Sequence, residues 1–414
     1  MFDGAFQSLC LLFALALYGG FSAPAPSDIG PTEIAIAAFL TFAVGPRAFI
    51  ALLSGALLHA SPPFLWESIG CLSFHILLWL PLLRGVAMHG DLNAIFRDLA
   101  PLLYLFLPLL LGRRLTSSNV LSILAAGMTI AGIAFTLRWW SEAPWALWAL
   151  GRRPLNDGTQ YLLNDPSVLF IAVWLPCWGW ERLFFAPTKE NTHTYSYFRN
   201  ILRGLFGLSM IALGGLSILA LTGAVHRTAM ILGGASCILY LARVGRRAPL
   251  LTLGAVGAVL ILEQIAPGQP LLGALQHAAD KTELVGWNAR TAEIEAVLAC
   301  VTADPISFII GEGWGALIAN PAVGEWRVGY THSFFSYLLF KTGIVGALAT
   351  AVWVATLVPV VFRMFQREFL LSLALTPPLL MGMFLHTSFK YLSFGVVLLM
   401  IVLIGREGQA SYRN

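Results

Sequence analysis

Charge is scarce in this chain. Of its 414 residues, 25 are Lys or Arg and 21 are Asp or Glu, together 11%, where a soluble domain carries about 25%. So few charges cannot cover a soluble globule of this size, which excludes a cytosolic enzyme. Disorder is excluded too, because 58% of the residues are apolar and such a chain buries its surface readily. The net charge is only +4 and no basic run is long enough to form a phosphate-binding stripe, so no nucleic-acid partner is expected.

Paired cysteines are also missing. Cys10, Cys71, Cys177 and Cys237 lie in apolar runs, and only Cys300 falls in a polar stretch. There is no CxxC and no Cys/His cluster with zinc spacing, so neither a disulfide framework nor a metal is expected. No motif calls for a cofactor, and no internal repeat or separate soluble domain is visible. The apolar run Phe6 to Phe21 lacks the basic flank of a secretion signal and reads as a retained first helix.

Long hydrophobic runs are what remain. About 20 apolar residues cross a bilayer core once, and runs bounded by charges or Pro/Gly clusters predict twelve spans: 5–21, 31–60, 66–84, 96–112, 117–137, 167–186, 199–221, 226–242, 248–266, 331–357, 369–386 and 388–405. The run 31–60 breaks at Gly45-Pro46 and is either one kinked helix or two half-helices. The fold class is therefore an all-α polytopic membrane protein, one integral membrane domain over 1–414. Lys and Arg accumulate in cytoplasmic loops, and the densest short-loop clusters, Arg243/Arg246/Arg247 and Arg113/Arg114, predict cytoplasmic termini. Segments 138–166 and 267–330 then lie outside, the second as one large periplasmic loop. Trp139, Trp140, Trp145 and Trp148 in the first read as an interfacial aromatic belt. In the second, Asn288 to Ile310 reads as an amphipathic helix ending at an Asp304-Pro305 break.

Three residues of interest fall on that outer side. His332 lies at the mouth of a span; histidine is the usual general base near neutral pH, although an interfacial histidine is often only a polar anchor. Arg227, at the outer end of its span, either snorkels to the headgroups or serves a site. Arg290 alone reads as a solvated charge, but two guanidiniums together bind a diphosphate well. The run Gly311-Glu312-Gly313-Trp314-Gly315 permits tight backbone approach; by itself it is a loop packing on the membrane face as readily as a ligand cradle. Lys341, two to three turns beyond His332, requires a cavity or a carboxylate partner, either a structural ion pair or a glycan contact. Arg138, Arg152 and Arg153 are either solvated or in touch with phosphates.

Three segments in order carry a likeness to a known family: Leu221 to Arg227, Asn288-Ala289-Arg290 running to Gly315, and Thr331-His332-Ser333-Phe334-Phe335 continuing to Gly346. Over 200–360 the chain resembles the O-antigen ligase family, which also includes O-antigen and exopolysaccharide polymerases. It has Ser333 where the family usually has Asn, and His226-Arg227 where the family often has Ser-Arg. The resemblance implies a C-type glycosyltransferase fold in the bacterial inner membrane, with its active site facing the periplasm. It further implies an undecaprenyl-diphosphate-linked glycan donor, Arg227 and Arg290 as diphosphate-binding residues, and His332 as the base of a metal-independent, inverting transfer. His226, Gly311, Gly313 and Lys341 would be supporting residues. The acceptor would be lipid A-core in a ligase, or another lipid-linked repeat in a polymerase. A transporter for the same lipid-linked glycan is the rival, but it should show paired repeats and mid-membrane charges, whereas these candidates gather at one face.

Overall fold

A computed structural model describes residues 4–26, 29–59, 64–88, 90–115, 119–152, 159–185, 195–266, 269–285 and 288–406. The chain forms α1 (Gly4–Phe21), α2 (Pro31–Val44), α3 (Pro46–Leu53), a single turn α4 (Ala56–His59) and α5 (Leu65–Met88). Then come α6 (Leu92–Leu105), α7 (Leu107–Leu111), α8 (Val120–Glu142), α9 (Pro166–Phe184), α10 (Tyr195–Gly223), α11 (Arg227–Gly245) and α12 (Pro249–Ile265). The segment expected as a long loop folds as α13 (Pro270–Val285), α14 (Asn288–Thr302), α15 (Pro305–Ile310) and a hairpin of β1 (Ile318–Asn320) and β2 (Trp326–Val328). The last helices are α16 (Phe334–Arg367), α17 (Phe369–Leu380) and α18 (Leu392–Arg406).

The molecule is a multi-pass membrane protein. Among the described residues, six helices are long and apolar enough to cross a bilayer, or eight if each of two bent pairs counts once. The break at Gly45-Pro46 settles the 31–60 run: α2 and α3 meet at 82°. Gly45 adopts φ +72°, and the guanidinium of Arg114 donates to the Val44 carbonyl that the break frees (2.7 Å). Residue 60 of that run lies outside the described residues.

Several boundaries differ from expectation. The run 96–112 divides at Phe106, and 369–386 ends in a π-helical turn, 381–385, after Pro377-Pro378. A proline lacks the N–H that holds a helix in register. The chain is not purely helical either, since β1 and β2 pair antiparallel with Ile318 opposite Val328. Helix α18 is buried from Leu392 to Gly405 and forms the centre of the bundle, which explains a helix apolar on every side.

Two distortions bind the 288–330 segment to the bundle. Pro81 within α5 cannot donate to the Leu77 carbonyl. The indole N–H of buried Trp314 fills that vacancy at 3.0 Å, while the Trp314 amide donates to the Pro81 carbonyl at 3.0 Å. In α16 the backbone turns out of helical geometry at Gly343 (φ +63°), and the freed Phe340 and Lys341 carbonyls accept from the Glu312 and Gly313 amides at 2.8 and 3.0 Å. Gly311 and Gly313, at φ +76° and +87°, lie against the backbones of α16 and α5, where a Cβ would collide with main-chain atoms. The glycine run is thus a seam between two helices. At the same end Arg84 donates to the Ser307 hydroxyl (2.6 Å), beside Asp304, which caps α15.

The opposite end is marked by Arg113, which donates twice to Glu67 in the first turn of α5 (2.9 and 2.7 Å). Replacing Gly311 by Ala should therefore cost about 1–3 kcal/mol, since its φ/ψ is essentially glycine-only. Gly215→Ala, at an open position, should be neutral or slightly stabilising. Denaturant unfolding of the two detergent-solubilised variants checks the contrast.

Candidate functional site

Four separate stretches meet at the end of the bundle that carries the 288–330 segment. His332 lies just ahead of α16, whose N-cap Ser333 accepts from the Ser336 amide (3.2 Å). Its Nδ1 lies 3.1 Å from a carboxylate oxygen of Glu293 in α14, and its own amide donates to both Glu293 oxygens at 3.1 and 3.0 Å. Asn320, at the end of β1, donates to the same carboxylate (2.5 Å). Glu293 is only 2% exposed, whereas the His332 side chain is about one-quarter exposed. An N–H on Nδ1 facing that carboxylate leaves Nε2 with its lone pair and an open side. A histidine so held is oriented and polarised to take a proton.

Arg290 lies one turn before Glu293 on the same face of α14. Burial lowers the Arg290 pKa and Arg227, close enough to repel it, lowers it further, while Glu293 opposes both. Arg227 opens α11 next to His226, the helix N-cap. The His226 ring is committed on both nitrogens: Nδ1 accepts from the Ala229 amide (3.3 Å), and Nε2 faces the side-chain oxygen of Asn164 (3.1 Å). Asn164 directly precedes Asp165, a wholly buried carboxylate that accepts from Ser167, Ser393 and Tyr18 and so ties α9, α18 and α1 together. His226 therefore fixes where Arg227 begins.

Neither Glu293 nor Asn320 was anticipated, and neither was a third residue. His386 sits where the π-helical turn ends; its ring is 6.2 Å from that of His226 and within electrostatic reach of His332 and Arg290. Its Nδ1 is buried and has no hydrogen-bond partner within the protein. Tyr330 stands edge-on to His332 at 6.1 Å.

The remaining candidates serve elsewhere. Lys341 is fully buried and donates to Asp98 and the Ala316 carbonyl, both at 2.6 Å. The same carboxylate accepts from Tyr337 and the Gly315 amide at 2.9 Å and stands 3.5 Å from Lys390. Lys341 is thus the structural ion pair of the two readings. Gly311 and Gly313 belong to the backbone seam. Arg138 donates to the Gly19 and Ser22 carbonyls at the end of α1, and Arg152 lies over the Trp145 ring; Arg153 lies outside the described residues.

A scan against protein-family models finds no match for this chain, and neither does a search of curated proteins. Chemically, the arrangement places two guanidiniums near each other, beside a carboxylate-backed imidazole. Among the described residues no three His, Cys, Asp or Glu side chains are grouped to share an ion.

Burial pushes the Glu293 pKa up, but hydrogen bonds from the His332 ring and amide and from Asn320 outweigh it, leaving the pKa below the ordinary carboxylate value. A depressed pKa contributes stability above the unfolded value, about 4.3, and loses it as pH falls through the folded value. Unfolding scans of wild type from pH 6 downward should show this acid loss starting near the unfolded value. Glu293→Gln should be less stable at pH 6 and show a shallower loss on acidification.

Proposed function

We propose that this protein is a membrane glycosyltransferase. It moves a glycan from an undecaprenyl-diphosphate-linked donor onto an acceptor at the periplasmic face of the bacterial inner membrane. The observation that carries the reading is the meeting of Arg227 and Arg290 with the Glu293–His332 pair at one end of the bundle. The lipid tail of the donor lies in the outer leaflet, and its diphosphate rests between the two guanidiniums. The acceptor hydroxyl attacks the anomeric carbon from the side opposite the diphosphate, with inversion. Its proton passes to Nε2 of His332, the new C–O bond forms, and the bond to the phosphate oxygen breaks with its electron pair. Arg227 and Arg290 hold the charge that develops on the departing diphosphate. Neither step calls for a metal.

Both departures from the O-antigen ligase pattern exchange one helix cap for another, which supports the resemblance. Ser333 stands for Asn at the N-cap of α16, where both residues are good caps. His226 stands for Ser at the N-cap of α11 and still accepts the capping bond, through Nδ1. The ligase reading takes lipid A-core as acceptor. A polymerase would use the same chemistry with a lipid-linked repeat, and analysis of free against lipid A-attached glycan in a deletion strain separates the two.

The assay is purified protein with lipid-linked donor and acceptor. His332→Ala should lower transfer by about 10²–10⁴-fold with donor binding retained. Arg227→Lys or Arg290→Lys should cost about tenfold or more, partly as weaker donor binding, because an ammonium lacks the planar fork. Glu293→Gln should lower the turnover rate roughly 10–100-fold at unchanged donor KM, as befits a residue that orients the base. Wild-type rates should survive EDTA. Full activity of His332→Ala would remove the base.

Twelve crossings with cytoplasmic termini complete the proposal, with the shorter helices filling in between the six long ones. Single cysteines in a cysteine-free background test it. Position 327, exposed in the hairpin, should react with an impermeant thiol reagent on intact spheroplasts, and position 246 only after permeabilisation.

A further inference from the structure

His226, His332 and His386 gather around the two arginines, and the proposed transfer gives a chemical task to only one of them. His226 is committed to the Ala229 amide and to Asn164. His386 remains. It follows the π-helical turn in extended backbone, and its amide donates to the Met381 carbonyl at 2.9 Å. Its ring stands 6.2 Å from that of His226 and 6.5 Å from that of Tyr391.

The two nitrogens of this ring differ. Neither makes a hydrogen bond among the described residues, but Nδ1 is sealed off whereas Nε2 keeps accessible surface. A proton on Nδ1 would be a buried donor with no acceptor, and such donors are rarer in proteins than under-used acceptors. A second proton is opposed by the surroundings. The groups that act electrostatically on the ring are His226, His332 and Arg290, with no carboxylate among them. The ring is therefore neutral and carries its one proton on Nε2, at the accessible edge. His332 holds the opposite tautomer, since Glu293 faces its Nδ1. One imidazole offers the site a lone pair and the other an N–H.

The neighbours say what that N–H meets. Arg290 is the cation within reach of the ring, and Arg227 is close to Arg290. An anion held by these two guanidiniums lies beside His386. His332 is within reach as well, and of two linked phosphates the one bonded to the sugar is the nearer to the reacting carbon. We propose that His386 is a third contact to the lipid-linked donor, its Nε2–H donating to a non-bridging oxygen of the sugar-side phosphate. This assignment rests on the glycosyl-transfer reading. Two guanidiniums already balance the two charges of a diphosphate diester. A neutral donor adds a bond that strengthens as the sugar–oxygen bond breaks and a further charge develops on that phosphate.

The experiment uses the full-length protein in neutral detergent and measures the Kd of two sugar-free probes, radiolabelled undecaprenyl diphosphate and undecaprenyl monophosphate. Wild type should prefer the diphosphate. His386→Asn, whose amide falls short of the Nε2 position, should weaken diphosphate binding about tenfold and leave monophosphate binding unchanged. His386→Gln, whose amide nitrogen reaches that position, should stay within about threefold of wild type for both lipids. A general loss of structure would weaken both lipids alike. Unchanged diphosphate affinity in His386→Asn, an equal loss for both lipids, or a His386→Gln no better than His386→Asn would each overturn the contact while leaving the donor reading in place. A wild type with no preference for the diphosphate would overturn that reading and the contact with it.

Discussion

One carboxylate taken out of water organises the half of the molecule that carries the candidate site. Asp98, in α6, holds Lys341 of α16, the hydroxyl of Tyr337, the amide of Gly315 and, at longer range, Lys390. A buried charge is tolerated only when it is paired and its lone pairs are filled, and here four groups from three different stretches supply the filling. None of them can move without stranding a charge. The consequence is positional: the segment after Gly315 is pinned to α16, and Asn320 at the end of β1 donates to Glu293 of α14, which in turn holds His332.

That dependence explains why so much of the site lies on irregular backbone. His332 precedes a helix, His226 caps one, and His386 stands where a helix has unwound through a π turn. Irregular backbone at this depth survives only when its polar groups find partners inside the protein. The Gly311–Trp314 seam supplies them for α5 and α16, while Asp165 accepts from the Ser167 amide in the first turn of α9.

The long helices were legible because apolar length is written directly in the sequence, and the Gly45-Pro46 break was visible as a break although its 82° angle was not. Helix α14 was legible as an amphipathic stretch, but α13 and the hairpin were not; the hairpin's apolar residues meet a small core of Val297, Ala316, Ile318 and Phe340 rather than lipid. At the site, Arg227, Arg290 and His332 could be picked out by charge at one membrane face. Glu293 could not, because a carboxylate among exposed acids looks solvated. A signal did exist: Glu293, Val297 and Val301 recur at a four-residue spacing and are all buried, so the acid occupies the inward stripe of its helix. His386 had no such signal, because only the unwinding after Pro377-Pro378 turns it toward the other histidines.

The bond between Trp314 and the Leu77 carbonyl joins residues 237 positions apart, and its order of arrival matters. During synthesis α5 emerges first, with its proline and its unanswered carbonyl, while the tryptophan that will answer it follows on the order of ten seconds or more later. An unpaired carbonyl facing hydrocarbon costs several kcal/mol. The Leu77 carbonyl therefore lacks its native partner until the last third of the chain is made. Assembly closes from the back of the chain to the front.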